Sequence, residues 1–454
     1  MERKNAWEIW NEKTKKDAFS FCEKYKDFLS VNKTERKFVS ASIKTGEKNG
    51  FTNIDTLKKL HSGARIYKIN KNKQAVFAVI GEKPLTEGVR IIISHIDSPR
   101  IDFKPSPVYE DESLAFFKTI YYGGIKKYQW LTIPLSLYGT VILKNGEKKS
   151  IEVGDTPDDP VFTITDLLPH LSKDQMKKTI EEGFPGENLN ILASSMPDIS
   201  KDKEKTKSNL LKIFKENYGI EEEDFLSSEC QAVPAGKMRD LGIDKSMLIG
   251  YGQDDRACAY TSFSAIVSIQ KPSETCICIL ADQEEIGSHG GTSAYSLFFQ
   301  YFIEEILEKT GYSLSEVKRV YEKSKAISAD VASLLDPNYK EVHDLRNAAR
   351  MGCGICIEKT TGARGKYGSI EPTAEYIANI RKIFDENDII WQTAEIGKVE
   401  QGGGGTVATY LAKFGIDTID SGIGVLSMHS PYEVTSKADI YSGYLAYRAF
   451  YNSL

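Results

Sequence analysis

The chain has 454 residues, of which 41% are hydrophobic, and its 64 acidic residues outnumber 59 basic ones for a net charge of -5. This length suits two or three domains with a sizeable core. The charge balance lacks the basic footprint of proteins that bind nucleic acid or anionic membranes, and no apolar run approaches the ~20 residues of a membrane span. The charged N-terminal segment lacks the apolar core of a signal peptide, so we expect a cytoplasmic protein.

Helix patterns open the chain and strand patterns follow them. Two amphipathic patterns, at 7–30 and 32–49, predict helices, and Asn32 with Glu35 has the spacing of a capping box. The later run RIIIS at 90–94 is apolar throughout, as expected of a strand that is buried on both faces.

The pattern changes after residue 104, where short strand-like segments dominate. Asn145-Gly146, between two alternating runs, predicts a β-hairpin. From residue 244, apolar strands and amphipathic helices alternate again. We therefore predict an α/β domain formed by residues 1–103 and 244–454, interrupted by a β-rich insertion at 104–243.

Ionisable side chains flank the predicted buried strands. In open α/β sheets, ligands bind at the carboxyl ends of the strands, so these side chains are expected to meet at one edge. They are His95 and Asp97 after IIIS, Glu284 and Glu285 after CICILAD, Asp330 after KAIS, His429 after GVLSM, and Asp254 and Asp255 ahead of a helix.

Imidazole and carboxylate groups are standard zinc ligands, and a catalytic zinc keeps one position for water. Two histidines and three carboxylates are too many for one such ion and suit two ions that share a bridging carboxylate. The adjacent Glu284 and Glu285 suit a division of labour, because neighbours in an extended segment point in opposite directions. One can bind metal while the other acts as base toward a metal-activated water.

A structural explanation serves better for each group taken alone. His95 and Asp97 could be a surface pair, the two aspartates a helix N-cap, and the two glutamates part of a solvated loop. The combination is harder to explain in this way, because carboxylates massed at one sheet edge repel one another unless cations neutralise them.

The segments SHIDSPR, GQDDR, DQEEIGS, SADV and MHSPYE occur in this order along the chain. They resemble the aspartyl aminopeptidase and aminopeptidase I family of dinuclear zinc metallopeptidases, and the resemblance covers nearly the whole chain. It implies a zinc-peptidase-like α/β catalytic domain, with a mixed central sheet flanked by helices, interrupted by a β-rich dimerisation domain. It also implies removal of single residues from the free N-termini of peptides, by dimers assembled into a closed tetrahedral dodecamer.

The resemblance implies two divalent ions per chain, with zinc expected and manganese or cobalt as alternatives. The implied ligands are His95 and Asp330 for the first ion, Glu285 and His429 for the second, and Asp254 as the bridge. The bridging position can also be read one residue out, at Asp255.

The resemblance gives two further residues at this sheet edge roles other than metal binding. Glu284 would be the general base, and Asp97 would orient the site from behind the ligands.

Three positions resemble family substrate contacts. His170, within the insertion, would reach the active site of a neighbouring subunit, and Lys359 and Tyr367 would lie near the substrate. Aspartyl aminopeptidases carry a substrate-contacting histidine three residues after the strand-end aspartate, where this chain has Ser333. We therefore expect that acidic N-terminal residues are not exclusively preferred.

Two other functions compete with an aminopeptidase. A related dinuclear amidohydrolase, such as a deacylase or carboxypeptidase, would use the same metals on a different amide. An oligomeric scaffold with a dead site is less consistent with a complete ligand set.

Overall fold

A computed structural model describes residues 3–453, and the chain divides into two units. The first unit comprises the chain up to Ser98, Met238–Met428 and the residues from Glu433 on. The second unit comprises Pro99–Lys237 and His429–Tyr432. It therefore begins at Pro99 rather than at 104, and its long segment ends at Lys237 rather than at 243.

The helices are distributed over both units. In chain order they are α1 (Ala6–Ile9), α2 (Glu12–Val31), α3 (Glu35–Lys48), α4 (Ile180–Gly183), α5 (Lys205–Tyr218), α6 (Gln253–Ser268), α7 (Phe298–Thr310), α8 (Val317–Lys323), α9 (Ala374–Glu386), α10 (Ala408–Ala412) and α11 (Lys437–Asn452). Within residues 3–453, no helix combines the length and the apolar character needed to cross a membrane.

The strands form a large sheet in each unit, with short pairings beside them. In chain order they are β1 (Thr52–Asn53), β2 (Arg65–Asn70), β3 (Gln74–Val79), β4 (Val89–His95), β5 (Arg100–Asp111), β6 (Leu114–Tyr122), β7 (Leu135–Ile142), β8 (Lys148–Val153), β9 (Ile191–Ser194), β10 (Ser228–Pro234), β11 (Arg239–Leu241), β12 (Met247–Gly250), β13 (Thr275–Ala281), β14 (Lys325–Ser328), β15 (Ala332–Ser333), β16 (Ile355–Glu358), β17 (Trp391–Thr393), β18 (Asp417–Gly422), β19 (Gly424–Val425) and β20 (Glu433–Ser436).

The first unit is built on a mixed nine-stranded sheet in the order β1-β2-β3-β13-β4-β14-β18-β16-β17. Strand β4 lies between β13 and β14 and is parallel to both, whereas β16 runs antiparallel to β18. All seven residues of β4 are buried, as its uninterrupted apolar run predicts for a central strand. The α/β class with a mixed central sheet is thereby confirmed.

Alternate residues of β4 belong to different hydrophobic clusters, so the sheet is covered on both faces. Ile92 packs in a cluster with Phe38 and Phe263 from α3 and α6. Ile93 packs in another with Ile303 and Leu411 from α7 and α10. Because side chains alternate along a strand, these two layers hold β4 from opposite sides.

The second unit contains a six-stranded sheet in the order β8-β7-β10-β5-β6-β9. Each neighbouring pair is antiparallel. Asn145 and Gly146 lie in the turn between β7 and β8, where Gly146 has a φ of 85°, so the predicted hairpin is confirmed. The dimerisation role implied for this insertion stays a prediction.

The N-terminal helices differ from the sequence prediction in two places. The first predicted helix is broken into α1 and α2, with Asn11 as the N-cap of α2. Asn32 ends α2, where its side-chain amide donates to the Phe28 carbonyl, and does not cap α3. The N-cap of α3 is Thr34, whose hydroxyl accepts from the Lys37 amide. The capping-box assignment was therefore wrong, because a closer hydroxyl satisfies the first turn.

Candidate metal centre

His95 is the last residue of β4 and is buried. Its Nε2 lies 3.3 Å from Oδ1 of Asp254, 3.7 Å from Oδ1 of Asp330 and 3.9 Å from Oε2 of Glu284. On the other side of the ring, Nδ1 lies 3.1 Å from the carbonyl oxygen of Asp97. Because a carbonyl only accepts, Nδ1 carries the proton of a neutral ring, and Nε2 faces three carboxylates as a potential metal ligand.

The carboxylate of Asp97 fixes the loop that carries the paired glutamates. Its Oδ1 accepts from the amide of Glu284 at 3.1 Å, and its Oδ2 accepts from the amide of Glu285 at 3.2 Å. Both glutamates lie in a short 3-10 turn, Glu284–Ile286, which begins after a two-residue gap from the end of β13. One side chain therefore positions two successive residues of the predicted site through their backbone.

Asp254 and Asp255 face different groups. Oδ1 of Asp254 approaches Nε2 of His95, whereas Oδ2 of Asp255 accepts from the His95 backbone amide at 3.2 Å. The peptide bond between the two aspartates is cis. Asp255 is completely buried and supports the backbone of β4. The two candidates for the bridging position therefore face different parts of His95: Asp254 faces its ring and Asp255 its backbone.

Asp330 reaches the centre because of sheet register. Ser328, at the end of β14, pairs with Ile93 of β4, so Asp330 and His95 each lie two residues beyond a paired position. Gly422 leaves room for this turn, since a Cβ at that position would overlap the carbonyl oxygen of Asp330. The side chain at 330 is thereby brought to the same edge as His95.

Within the first unit, two sets of potential ligand atoms are compact enough to hold a cation. The ligand atoms of His95, Asp254 and Asp330 lie within 4.8 Å of one another, as do those of His95, Glu284 and Glu285. Imidazole with carboxylates at this spacing fits a divalent ion such as zinc, whose bonds to these ligands are about 2.0–2.2 Å long.

Electrostatics also favour a cation at this edge. Burial raises the pKa of Glu284 to about 8, and the charges of Asp330, Asp97 and Asp254 add to this while His95 opposes it. Burial disfavours the charged form of His95, but hydrogen bonds to the three aspartates raise its pKa well above its usual range. Carboxylates so close together retain protons unless positive charge is supplied.

His429, His170, Lys359 and Tyr367 are the remaining predicted site residues. His429 belongs to the second unit, where its Nδ1 is 2.8 Å from the carbonyl oxygen of Gly124. His170 is exposed in a 3-10 turn, Pro169–Leu171, of the same unit. Lys359 is exposed just after β16, and Tyr367 is 83% exposed in a loop. Neither Lys359 nor Tyr367 contributes to the compact sets around His95.

Comparison with known proteins agrees with this chemistry. Residues 28–451 match the family described as "Aminopeptidase I zinc metalloprotease (M18)". The chain belongs to the M18 aminopeptidase family. It is therefore a peptide-bond hydrolase that uses a metal ion, and the family description names zinc. The deacylase or carboxypeptidase alternative is not favoured.

Individual M18 relatives match along the full length. A probable M18 family aminopeptidase 1 of Borrelia garinii subsp. bavariensis is 48% identical over 99% of this chain and 100% of its own. The crystal structure of an M18 family aminopeptidase from Thermotoga maritima is 43% identical with a TM-score of 0.97, covering 100% of both chains. The mApe1 dodecamer of S. cerevisiae is similar in fold, with 23% identity and a TM-score of 0.76 over 95% of this chain and 96% of its own.

Glu433 is a site residue that the sequence analysis missed. It is buried, and its Oε2 accepts from the amides of Gln253 at 2.6 Å and Asp254 at 3.0 Å. Ser98 completes the support by donating its hydroxyl to the Asp254 carbonyl at 2.6 Å. Glu433 is the last residue of the MHSPYE segment, but its contact partners lie some 180 residues away along the chain.

We expect Glu433→Ala to weaken metal binding by about 10- to 100-fold, the effect typical of removing a residue that orients a metal ligand. Two buried amides would lose their acceptor and Asp254 would lose its alignment. Glu433→Gln keeps a carbonyl oxygen and should recover much of the affinity. Titration of zinc into metal-free protein measures both variants. Wild-type affinity in the alanine variant would show that Glu433 does not position Asp254.

Proposed function

We propose that this chain removes single N-terminal residues from short peptides at a centre that holds two divalent ions. In this proposal, His95 and Asp330 bind one ion, Glu285 and His429 bind the other, and Asp254 bridges them. The observation that carries it is the approach of Asp254 and Asp330 to Nε2 of His95. Three carboxylates and two imidazoles exceed the three protein ligands typical of a single catalytic zinc, and they suit a two-metal hydrolase.

Two local observations support the finer assignments. The Gly124 carbonyl accepts from Nδ1 of His429, so the neutral ring presents Nε2 to a metal. Asp255 supports the His95 backbone instead of facing its ring, which favours Asp254 as the bridging residue.

We assign the proton transfers to Glu284. When bound, the metal would polarise the scissile carbonyl and make a water molecule more acidic. Glu284 takes a proton from that water as the water oxygen attacks the carbonyl carbon. Glu284 then passes the proton to the departing amine nitrogen as the C–N bond breaks. Asp97 holds the amide of Glu284, so it acts as a positioning residue.

We further propose that the chain works as a homo-oligomer, in which His170 completes the active site of a partner subunit. His170 is exposed, and apolar side chains around it are exposed as well: Leu168 at 49%, Leu171 at 68% and Met176 at 79%. Clustered exposed apolar side chains are typical of a protein-protein interface. The protein of similar fold from S. cerevisiae is a dodecamer, which supports a homo-oligomer. In this proposal, dimers of this chain assemble into a tetrahedral dodecamer, whose enclosed space would admit short peptides.

Removal of metal should abolish peptide hydrolysis. Fully loaded protein should contain two divalent ions per chain by elemental analysis, and dialysis against a strong chelator should reduce both metal and activity. Zinc should restore turnover, and manganese or cobalt should do so in part, because carboxylate-rich sites accept several divalent ions. Undiminished activity in protein shown to be metal-free would contradict the proposal.

The two adjacent glutamates should respond differently to loss of charge. Glu284→Gln should retain its metal while kcat falls by ~10²–10⁴-fold, the contribution of a general base. Glu285→Gln should instead lose metal from one of the two positions. Metal content and kcat measured on both proteins separate these effects. If Glu285→Gln kept both ions and Glu284→Gln lost one, the roles within the pair would be reversed.

His170→Ala should lower kcat while metal content and assembly remain unchanged. His61→Ala, which removes another exposed histidine, is the matched control and should be fully active. Mixing the His170→Ala and Glu284→Gln proteins, after dissociation and reassociation, should recover part of the activity, because some interfaces then combine an intact base with an intact histidine. A fully active monomer would refute the shared site.

A further inference from the structure

Two carboxylates that the proposed reaction does not use are buried in the central sheet. Glu358 and Asp420 are directly opposite each other on β16 and β18, and only 6% and 3% of these residues is exposed. Oε1 of Glu358 and Oδ1 of Asp420 are buried with no hydrogen-bond partner among the described residues. Buried carboxylates with an oxygen that accepts no hydrogen bond are rare, because desolvating a charged group is costly, so the pair requires an explanation.

Sheet register places this pair beside the metal centre. Ile93, Ser328, Asp420 and Glu358 occupy one row across β4, β14, β18 and β16, and side chains in one row point to the same face. Asp330 lies two residues beyond Ser328 and so continues on that face. Glu358 is two strand spacings, about 10 Å, to the side of β14. The distance is too great for metal binding and suits contact with a substrate side chain.

A cavity of about 270 Å³ begins two residues beyond Glu358, where Thr360 and Thr361 line it. Thr361, which lines it, donates its hydroxyl to Oδ2 of Asp420 at 3.5 Å. Glu395 also lines it and, after burial and the nearby aspartates, contributes to raising the pKa of Glu358. Three basic residues and two acids line this cavity, so its overall charge does not decide which ligand it prefers: Arg364, Lys366 and Lys398, with Glu395 and Glu400.

We propose that Glu358, together with Asp420, binds the basic side chain of a lysine or arginine at the N-terminus of the substrate. The inference rests on the proposed function, because it places the scissile carbonyl at the metal centre. The α-amine of the substrate is then only two bonds from the carbonyl carbon. It therefore cannot reach Glu358, which lies two strand spacings to the side of β14. A long side chain that ends in a cation can reach the acids and neutralise them.

A panel of fluorogenic aminoacyl substrates tests this specificity. The metal-loaded wild-type protein should cleave lysyl and arginyl substrates with a higher kcat/KM than leucyl, glutamyl or aspartyl substrates. Glu358→Gln should lower kcat/KM for lysyl and arginyl substrates by about 10- to 100-fold, the range for losing a charge-assisted hydrogen bond, and should leave the leucyl value within about twofold. Calorimetry should show the same variant losing affinity for free L-lysine but not for L-norleucine, which has no side-chain ammonium.

Glu375→Gln is the matched control, because it removes an exposed acid on α9 and should leave the lysyl-to-leucyl ratio unchanged. Thermal unfolding checks that Glu358→Gln is folded, as expected when a buried charge is replaced by a neutral group of the same shape. A preference for acidic substrates, or an equal loss on lysyl and leucyl substrates, would overturn the inference. Absence of hydrolysis with every substrate would instead contradict the proposed function.

Discussion

Concentrated negative charge at one edge of the central sheet is the constraint on which the rest of the structure depends. Asp254, Asp330 and Glu284 all approach the same nitrogen of His95, and burial removes much of the water that would screen them. Without a cation, retained protons neutralise part of this negative charge, as the raised pKa of Glu284 indicates. In the proposed function, a divalent metal ion would neutralise this repulsion and make the cluster a hydrolytic centre.

The acidic residues that face the centre are positioned by other acidic residues, which accept hydrogen bonds from their backbone amides. Asp97 fixes the loop of Glu284 and Glu285, and Glu433 fixes the amide of Asp254. These hydrogen bonds are formed within the protein, so they orient the potential metal ligands before any metal binds. Such preorganisation limits the rearrangement needed when substrate binds, because charged groups already point where charge will develop.

The sequence was most informative where one residue type follows a regular pattern. Uninterrupted apolar runs predicted the buried strands, and the ionisable residues after them predicted the edge at which His95 and Asp330 meet. Residues 358 and 359 show the limit of this approach. The sequence places an acid and a base next to each other there, and only the structure shows that Glu358 is buried whereas Lys359 is exposed.

Long-range contacts could not be predicted for the same reason. Glu433 is one acid among many in the sequence, and its importance arises from a hydrogen bond to a residue 179 positions earlier. The N-cap of α3 was misassigned for a local reason, since Asn32 and Thr34 are both suitable caps and the end of α2 decides between them. His170 and His429 belong to the second unit, and their roles rest on the family resemblance. The sequence pattern around them does not indicate which groups they contact.

Anomalous X-ray diffraction at the zinc absorption edge, on crystals of the metal-loaded protein, tests the central claim most directly. We expect two anomalous peaks per chain, one beside His95 and Asp330 and the other beside Glu285 and His429, with Asp254 coordinating both ions. A single peak, or two peaks bridged by Asp255 instead of Asp254, would contradict the proposed two-ion centre.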